Sequence, residues 1–248
     1  MVAHEVSAWE ERRKHEAAAP DPTGAFSLIW THNYLVAVAL LSLLLNWVNT
    51  NGENILYGFV QESITKQTVA QGIVDPEALK QFVKNGTTLF FANFYFWVNL
   101  CALLIQLFLV PRMLQYGGVV TILLFAPLMA LFSYSFMMVF TALFIIKIIK
   151  IAENSSDYSL SNTARQVIWL PTSPSMTYKA KAATDTFFVR AGDGLAALTV
   201  FCGVQMLNLP LSGFILFNAG LAACWGAVAW WVARENKRLL TVSLREKG

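Results

Sequence analysis

Residues 119–146 form 28 consecutive positions without a charge. A membrane-spanning helix needs about 20 apolar residues, so this run is long enough for one tilted span or for one span and the start of another. Similar uncharged runs recur along the 248-residue chain, which is 56% hydrophobic and only 13% charged. Soluble domains average about 25% charged residues. The composition therefore excludes an ordinary soluble enzyme, a disordered chain and a nucleic-acid-binding arm. It points to an all-α, polytopic membrane protein with lipid as its main surroundings. A net charge of +3 is too small to call for a polyanionic partner such as a nucleic acid polymer.

The chemistry-bearing residue types narrow the options further. His4, His15 and His32 all precede the first apolar run, which leaves no imidazole for catalysis or metal binding inside the membrane. Cys101, Cys202 and Cys224 lie in apolar stretches without metal-ligand spacing and read as small buried hydrophobes. No metal, cofactor or enzymatic activity is expected.

Apolar runs place spans at 34–60, 89–110, 119 onward, 187–207 and 211–231. A polar lead, 1–33, precedes them and contains the helix breaker Pro20-Asp21-Pro22-Thr23-Gly24. The polar segment 62–87 contains Asp75-Pro76-Glu77, a helix start with Pro at the first helical position. Lys and Arg favour the cytoplasmic side of a membrane. Arg12, Arg13 and Lys14 at one end, and Arg234, Lys237, Arg238, Arg245 and Lys247 at the other, put both termini there. Same-side termini require an even number of spans. Splitting the long run near 133–139 gives six, with the fourth helix over 140–170. The organisation expected is a cytoplasmic tail 1–33, a membrane domain 34–235 with outside loop 62–87 and inside loop 171–186, and a cytoplasmic tail 236–248.

The fourth helix then carries charge at membrane depth, which costs a few kcal/mol or more per residue unless it faces a bundle interior or a wet cavity. Lys147, Lys150, Asn154, Asp157, Ser161 and Arg165 step by 3, 4, 3, 4 and 4, one face of a helix. That face reads as the lining of a hydrophilic path, its lysines offered to an anion. The alternative is a helix that leaves the membrane after Ile151. In the first span Asn46, Asn49, Thr50, Glu53 and Tyr57 repeat the pattern. There the alternative is a span that ends near Val48, with Glu53 at the outer interface.

Residues 164–198 contain Leu170-Pro171, the basic segment Lys179-Ala180-Lys181-Ala182-Ala183-Thr184-Asp185, and Arg190-Ala191-Gly192-Asp193-Gly194. Together they resemble the nucleotide (ATP/ADP) translocases of plastids and intracellular bacteria and their bacterial relatives in the major facilitator superfamily. Asn49 and Glu53 resemble a glutamate-bearing pattern in that family's seventh helix. The resemblance covers residues 26–235 and corresponds to the C-terminal half of a twelve-helix carrier. The glycine motif lacks the lysine and serine of dedicated nucleotide exchangers, which places the match nearer the family's uncharacterised bacterial branch.

The resemblance implies six helices arranged as two inverted three-helix repeats, in a bacterial inner membrane. It implies an antiporter half that works with the missing N-terminal six-helix half or with a second copy, moving an anionic nucleotide. Under it, Lys147, Lys150, Asn154, Asp157, Glu53 and Asn49 form the substrate site, with Glu53 as counter-charge. Arg165, Lys181, Asp185, Arg190 and Asp193 form a cytoplasmic gating network. The other reading is a membrane structural or assembly subunit that keeps the fold without transport.

Overall fold

The computed structural model describes residues 24–73 and 75–245, without the side chains of 174–175 and 242–245. The tail up to residue 23, with Arg12, Arg13 and Lys14, lies outside the described residues, as do 246–248. Among the described residues the chain is helical throughout, with short links.

A short helix, α1 (Ala25–Thr31), is separated by the single extended residue His32 from α2 (Asn33–Ala70). At about 1.5 Å per residue, the 38 residues of α2 extend for about 57 Å, far beyond a hydrocarbon core of about 30 Å. Beyond residues 71–73, α3 (Pro76–Leu104) starts where the Asp75-Pro76 pair predicts. The Asp75 carboxylate accepts from the Ala78 N–H at 2.9 Å, and Pro76 has no N–H to leave unpaired. Most of segment 62–87, expected as an outside loop, is helical, made by the last turns of α2 and the first turns of α3. A wide turn of helix, Ile105–Leu109, joins α3 to α4 (Val110–Val139). Within α4, Gly118 has φ 63° and ψ −163°, a conformation that residues with a Cβ rarely adopt, and the helix breaks there.

Phe140–Ala142 leave helical geometry and α5 (Leu143–Val167) follows. The break falls just after the 133–139 expected. Inside the expected loop 171–186 lies α6 (Pro174–Ala183), capped by Ser173. It continues through Thr184–Phe188 into α7 (Val189–Phe201). After the Leu207–Pro210 turn, α8 (Leu211–Arg245) runs unbroken through what reads from sequence as a C-terminal tail.

Cross-contacts fix the directions. Asn93 meets Lys147 and Gln106 meets Thr163, so α3 and α5 run the same way. Lys150 lies over the Tyr134 ring, while Ile122 and Ala126 share a crevice with Ala164 and Ile168. The part of α4 beyond Gly118 therefore runs opposite to α5, and the chain reverses at Gly118. Tyr34 reaches Ile168 and Asn49 reaches Asp157, so α2 opposes α5. Asn236 reaches Tyr34 and Asn218 reaches Val48, so α8 opposes α2. The main packing partners of α2 are α7 and α8; those of α5 are α3 and α4; α4 also packs on α8.

Among the described residues, four helical stretches are long and apolar enough to cross a membrane: Asn33–Ala70, Pro76–Val139, Met176–Met206 and Leu211–Thr241. The outward surface agrees, with Leu89, Leu216 and Phe201 each more than 60% exposed. So much bare apolar surface suits lipid rather than water. The chain is an all-α, multi-pass membrane protein. Helix α5 is not among these four because its buried face is polar: Lys150, Glu153, Ser155, Ser156, Asp157, Ser159 and Ser161 point inward, while Phe144 and Ile148 point out.

Candidate functional site

Small residues on α5, α2 and α7 let the helices around the polar groups approach closely. Ser155 and Ser159 donate to the carbonyls of Ile151 and Ser155 on their own helix. Their hydroxyls are thereby satisfied, and small side chains let helices approach. On α2, Gly52 leaves room for the Tyr134 hydroxyl and the Lys150 ammonium, where a Cβ would collide with the former. On α7, Gly192 lies against the backbone of α2, so close that a Cβ would sit 2.6 Å from the Leu43 carbonyl oxygen.

Between α2 and α5 opens a polar cleft of about 350 Å³. From α2 it is lined by Asn46, Asn49, Thr50 and Glu53, and from α5 by Asp157, Tyr158, Ser161, Asn162 and Arg165. The Asp157 carboxylate accepts from Asn49 Nδ2 and from Ser161 Oγ, both at 2.5 Å. Two donors on a buried carboxylate satisfy it and fix its orientation. Beside the cleft, Thr50 Oγ1 donates to Asp193 at 2.9 Å, and the Arg190 guanidinium lies 3.4 Å from the other Asp193 oxygen. Glu53 is different: it is exposed to the cleft and makes no hydrogen bond or ion pair with the described residues. Its charged neighbours are Lys150, Asp193 and Asp157.

The two lysines part company. Lys150 is buried, with its side chain 2% exposed, and its Nζ lies 2.6 Å from Glu153 Oε2, itself nearly as deep. The ammonium also sits 5.0 Å from the centre of the Tyr134 ring. Its partner is thus a carboxylate one turn along its own helix. Lys147 faces α3, where it donates to Asn93 Oδ1 at 2.6 Å and lies over the Phe90 ring. Neither lysine lines the cleft, and Asn154, half-buried on α5, does not line it either.

The charges expected to form one gating network fall into separate groups. Arg190 and Asp193 form the pair just described. Lys181 and Asp185 line an open cleft with Trp169, Thr172 and Tyr178, and no ion pair joins them. Arg165 belongs to the α2–α5 cleft. Some polar contacts carry no signal in the sequence. Tyr34 donates to the Ile168 carbonyl at 2.5 Å and accepts from Asn236 at 2.8 Å, tying together segments 134 and 202 positions apart. Tyr134, wholly buried against Lys150, sits in an apolar run where only the fold reveals its polar role.

No protein-family model, curated protein or solved structure matches this chain.

Proposed function

We propose that this chain is one six-span half of a secondary membrane carrier, with the α2–α5 cleft as its solute site and both termini in the cytoplasm of a bacterial inner membrane. The observation that carries the reading is Glu53, a carboxylate without a partner, open to the cleft near the middle of a membrane-length helix. It lies seven residues inside the end of the α2 apolar run at Val60, and Asp157 is the fifteenth of the 25 residues of α5. Carriers bind solute near the bilayer midplane, between repeats. An unpartnered charge at that depth is costly unless water or a ligand meets it.

Packing supports two inverted repeats. The first is α2, α3 and the part of α4 beyond Gly118; the second is α5, α6–α7 and α8. Exchanging them maps the α2–α7 contact onto α5–α3 and the α2–α8 contact onto α5–α4, and leaves the α4–α8 contact as its own image.

The resemblance at 164–198 points to nucleotide and organic-anion exchange. The charges of the cleft favour a different solute. Of the charged residues that line the cleft, Glu53 and Asp157 are acidic and Arg165 is basic, so a polyphosphate meets net negative charge, whereas a small zwitterion finds partners for both its ends. A non-transporting assembly subunit is the second reading, and one observation favours it. Lys150 with Glu153, Asp157 with Asn49, and Asp193 with Arg190 satisfy one another without any solute.

The test is uptake by membrane vesicles from cells producing the chain, with labelled amino acids, polyamines and ADP as solutes. The carrier reading predicts uptake of an amino acid that falls at least tenfold in Glu53→Gln while the protein level holds. Uptake of none of these solutes supports the assembly subunit. ADP uptake unchanged by Glu53→Gln contradicts the cleft assignment.

A further inference from the structure

A second cleft, about 750 Å³, lies between the far ends of α2 and α3 and plays no part in the proposed transport. One wall is a single face of α3: Lys80, Lys84, Thr87 and Phe91 step by 4, 3 and 4. The facing wall is Tyr57, Gln61 and Thr65 of α2, spaced by 4. The helices run antiparallel, so the chemistry is graded along the cleft. At one end the rings of Tyr57 and Phe91 stack with centres 6.0 Å apart. At the other stand the two lysines, neither with an ion-pair partner among the described residues, and no carboxylate lines the cleft. Between them is Thr87, 6% exposed, whose Oγ1 is buried without any hydrogen-bond partner. A buried hydroxyl of this kind usually finds one.

The position of this cleft along the helices identifies the occupant. The apolar run of α3 begins at Leu89, and that of α2 ends at Val60. Phe91 and Tyr57 therefore lie just inside the apolar zone, and Lys84 and Lys80 about one and a half and two and a half turns beyond it. That is the level of lipid headgroups, where lysine stems lie along apolar surface and present their ammonium groups to water.

We infer that this cleft holds an anionic phospholipid of the surrounding bilayer. Its phosphate lies between Lys80 and Lys84 and accepts from Thr87 Oγ1, and an acyl chain lies against the Tyr57–Phe91 pair. The shape and the charge pattern select this occupant together. A free phosphate would leave the aromatic end uncovered, and a neutral lipid would bring its own cation against the two lysines.

The test uses the purified chain in a neutral detergent, stripped of lipid and then titrated with phosphatidylglycerol or phosphatidylcholine, with bound lipid counted by native mass spectrometry. Phosphatidylglycerol should bind at least tenfold tighter than phosphatidylcholine. A charge near a lipid surface contributes on the order of fivefold per lysine, so Lys80→Gln with Lys84→Gln should weaken phosphatidylglycerol about thirtyfold. Lys80→Arg with Lys84→Arg should keep it. Acetylation of the unaltered protein reads the same site without substitution: added phosphatidylglycerol should protect Lys80 and Lys84 but not Lys66, which pairs with Glu62. Equal binding of both lipids, unweakened binding to the glutamine variant, or unprotected lysines would each overturn the assignment. So would displacement of the lipid by millimolar inorganic phosphate, which would make the cleft a free-phosphate site. None of these outcomes depends on transport.

Discussion

Lys150 and Glu153 show how a charge pair can persist inside a helical bundle. Both side chains are nearly inaccessible, and each is the other's counter-charge. Removing one member of such a pair strands the other, at a cost of about 3–5 kcal/mol. Lys150→Met should therefore destabilise the protein strongly, as read by thermal unfolding in detergent. Adding Glu153→Leu should recover most of the loss, because an apolar pair of similar volume removes the stranded charge. A double variant no more stable than Lys150→Met would mean that the pair does not act as a unit. The helical spacing of Lys147, Lys150, Asp157 and Arg165 was legible in the sequence, but their division of labour was not. A stripe 19 residues long follows one helix face, and different neighbours meet its different levels. Asn93 takes Lys147, Glu153 takes Lys150, and Asn49 takes Asp157. Nothing in the local sequence of α5 says which helix stands opposite at each turn.

At the scale of elements, contact between helices rests on small residues rather than on apolar bulk, since lipid is as apolar as leucine. Gly192 is the sharpest case, with the α2 backbone against it at Leu43. Gly192→Ala should separate α7 from α2 and cost about 1–3 kcal/mol, disturbing the Trp47–Thr199 and Thr50–Asp193 hydrogen bonds on either side. Gly194→Ala is the control: a Cβ there meets open space, so stability should hold or rise slightly. Unfolding curves of the two variants should differ accordingly; equal losses would contradict close packing at Gly192. Element boundaries were read well where a residue dictates geometry, as at Asp75-Pro76 and Asn208-Leu209-Pro210. They were read poorly where polar residues continue a helix past the apolar run, as in Gln61–Ala70 of α2 and the last turns of α8. Hydropathy marks where a helix meets lipid, not where its hydrogen bonds stop.

For the whole molecule, the reversal at Gly118 and the polar α5 decide how many crossings the chain makes. Among the described residues, length and hydropathy alone pick out four stretches. If the stretch 76–139 crosses twice and α5 crosses inside its neighbours, position 75 lies outside while 179 and 240 lie inside. Single cysteines at these positions, labelled from outside in a background without Cys101, Cys202 and Cys224, should react at 75 only. Labelling at 240 would contradict an even number of crossings. The central claim is that the α2–α5 cleft is a water-filled path and not a lipid-facing seam. Cysteines at Glu53 and Asn162 line that cleft, whereas cysteines at Leu198 and Leu216 sit on the exposed apolar surface. A membrane-impermeant methanethiosulfonate should modify positions 53 and 162 and spare 198 and 216. Protection of 53 and 162 to the same degree as 198 and 216 would contradict the account.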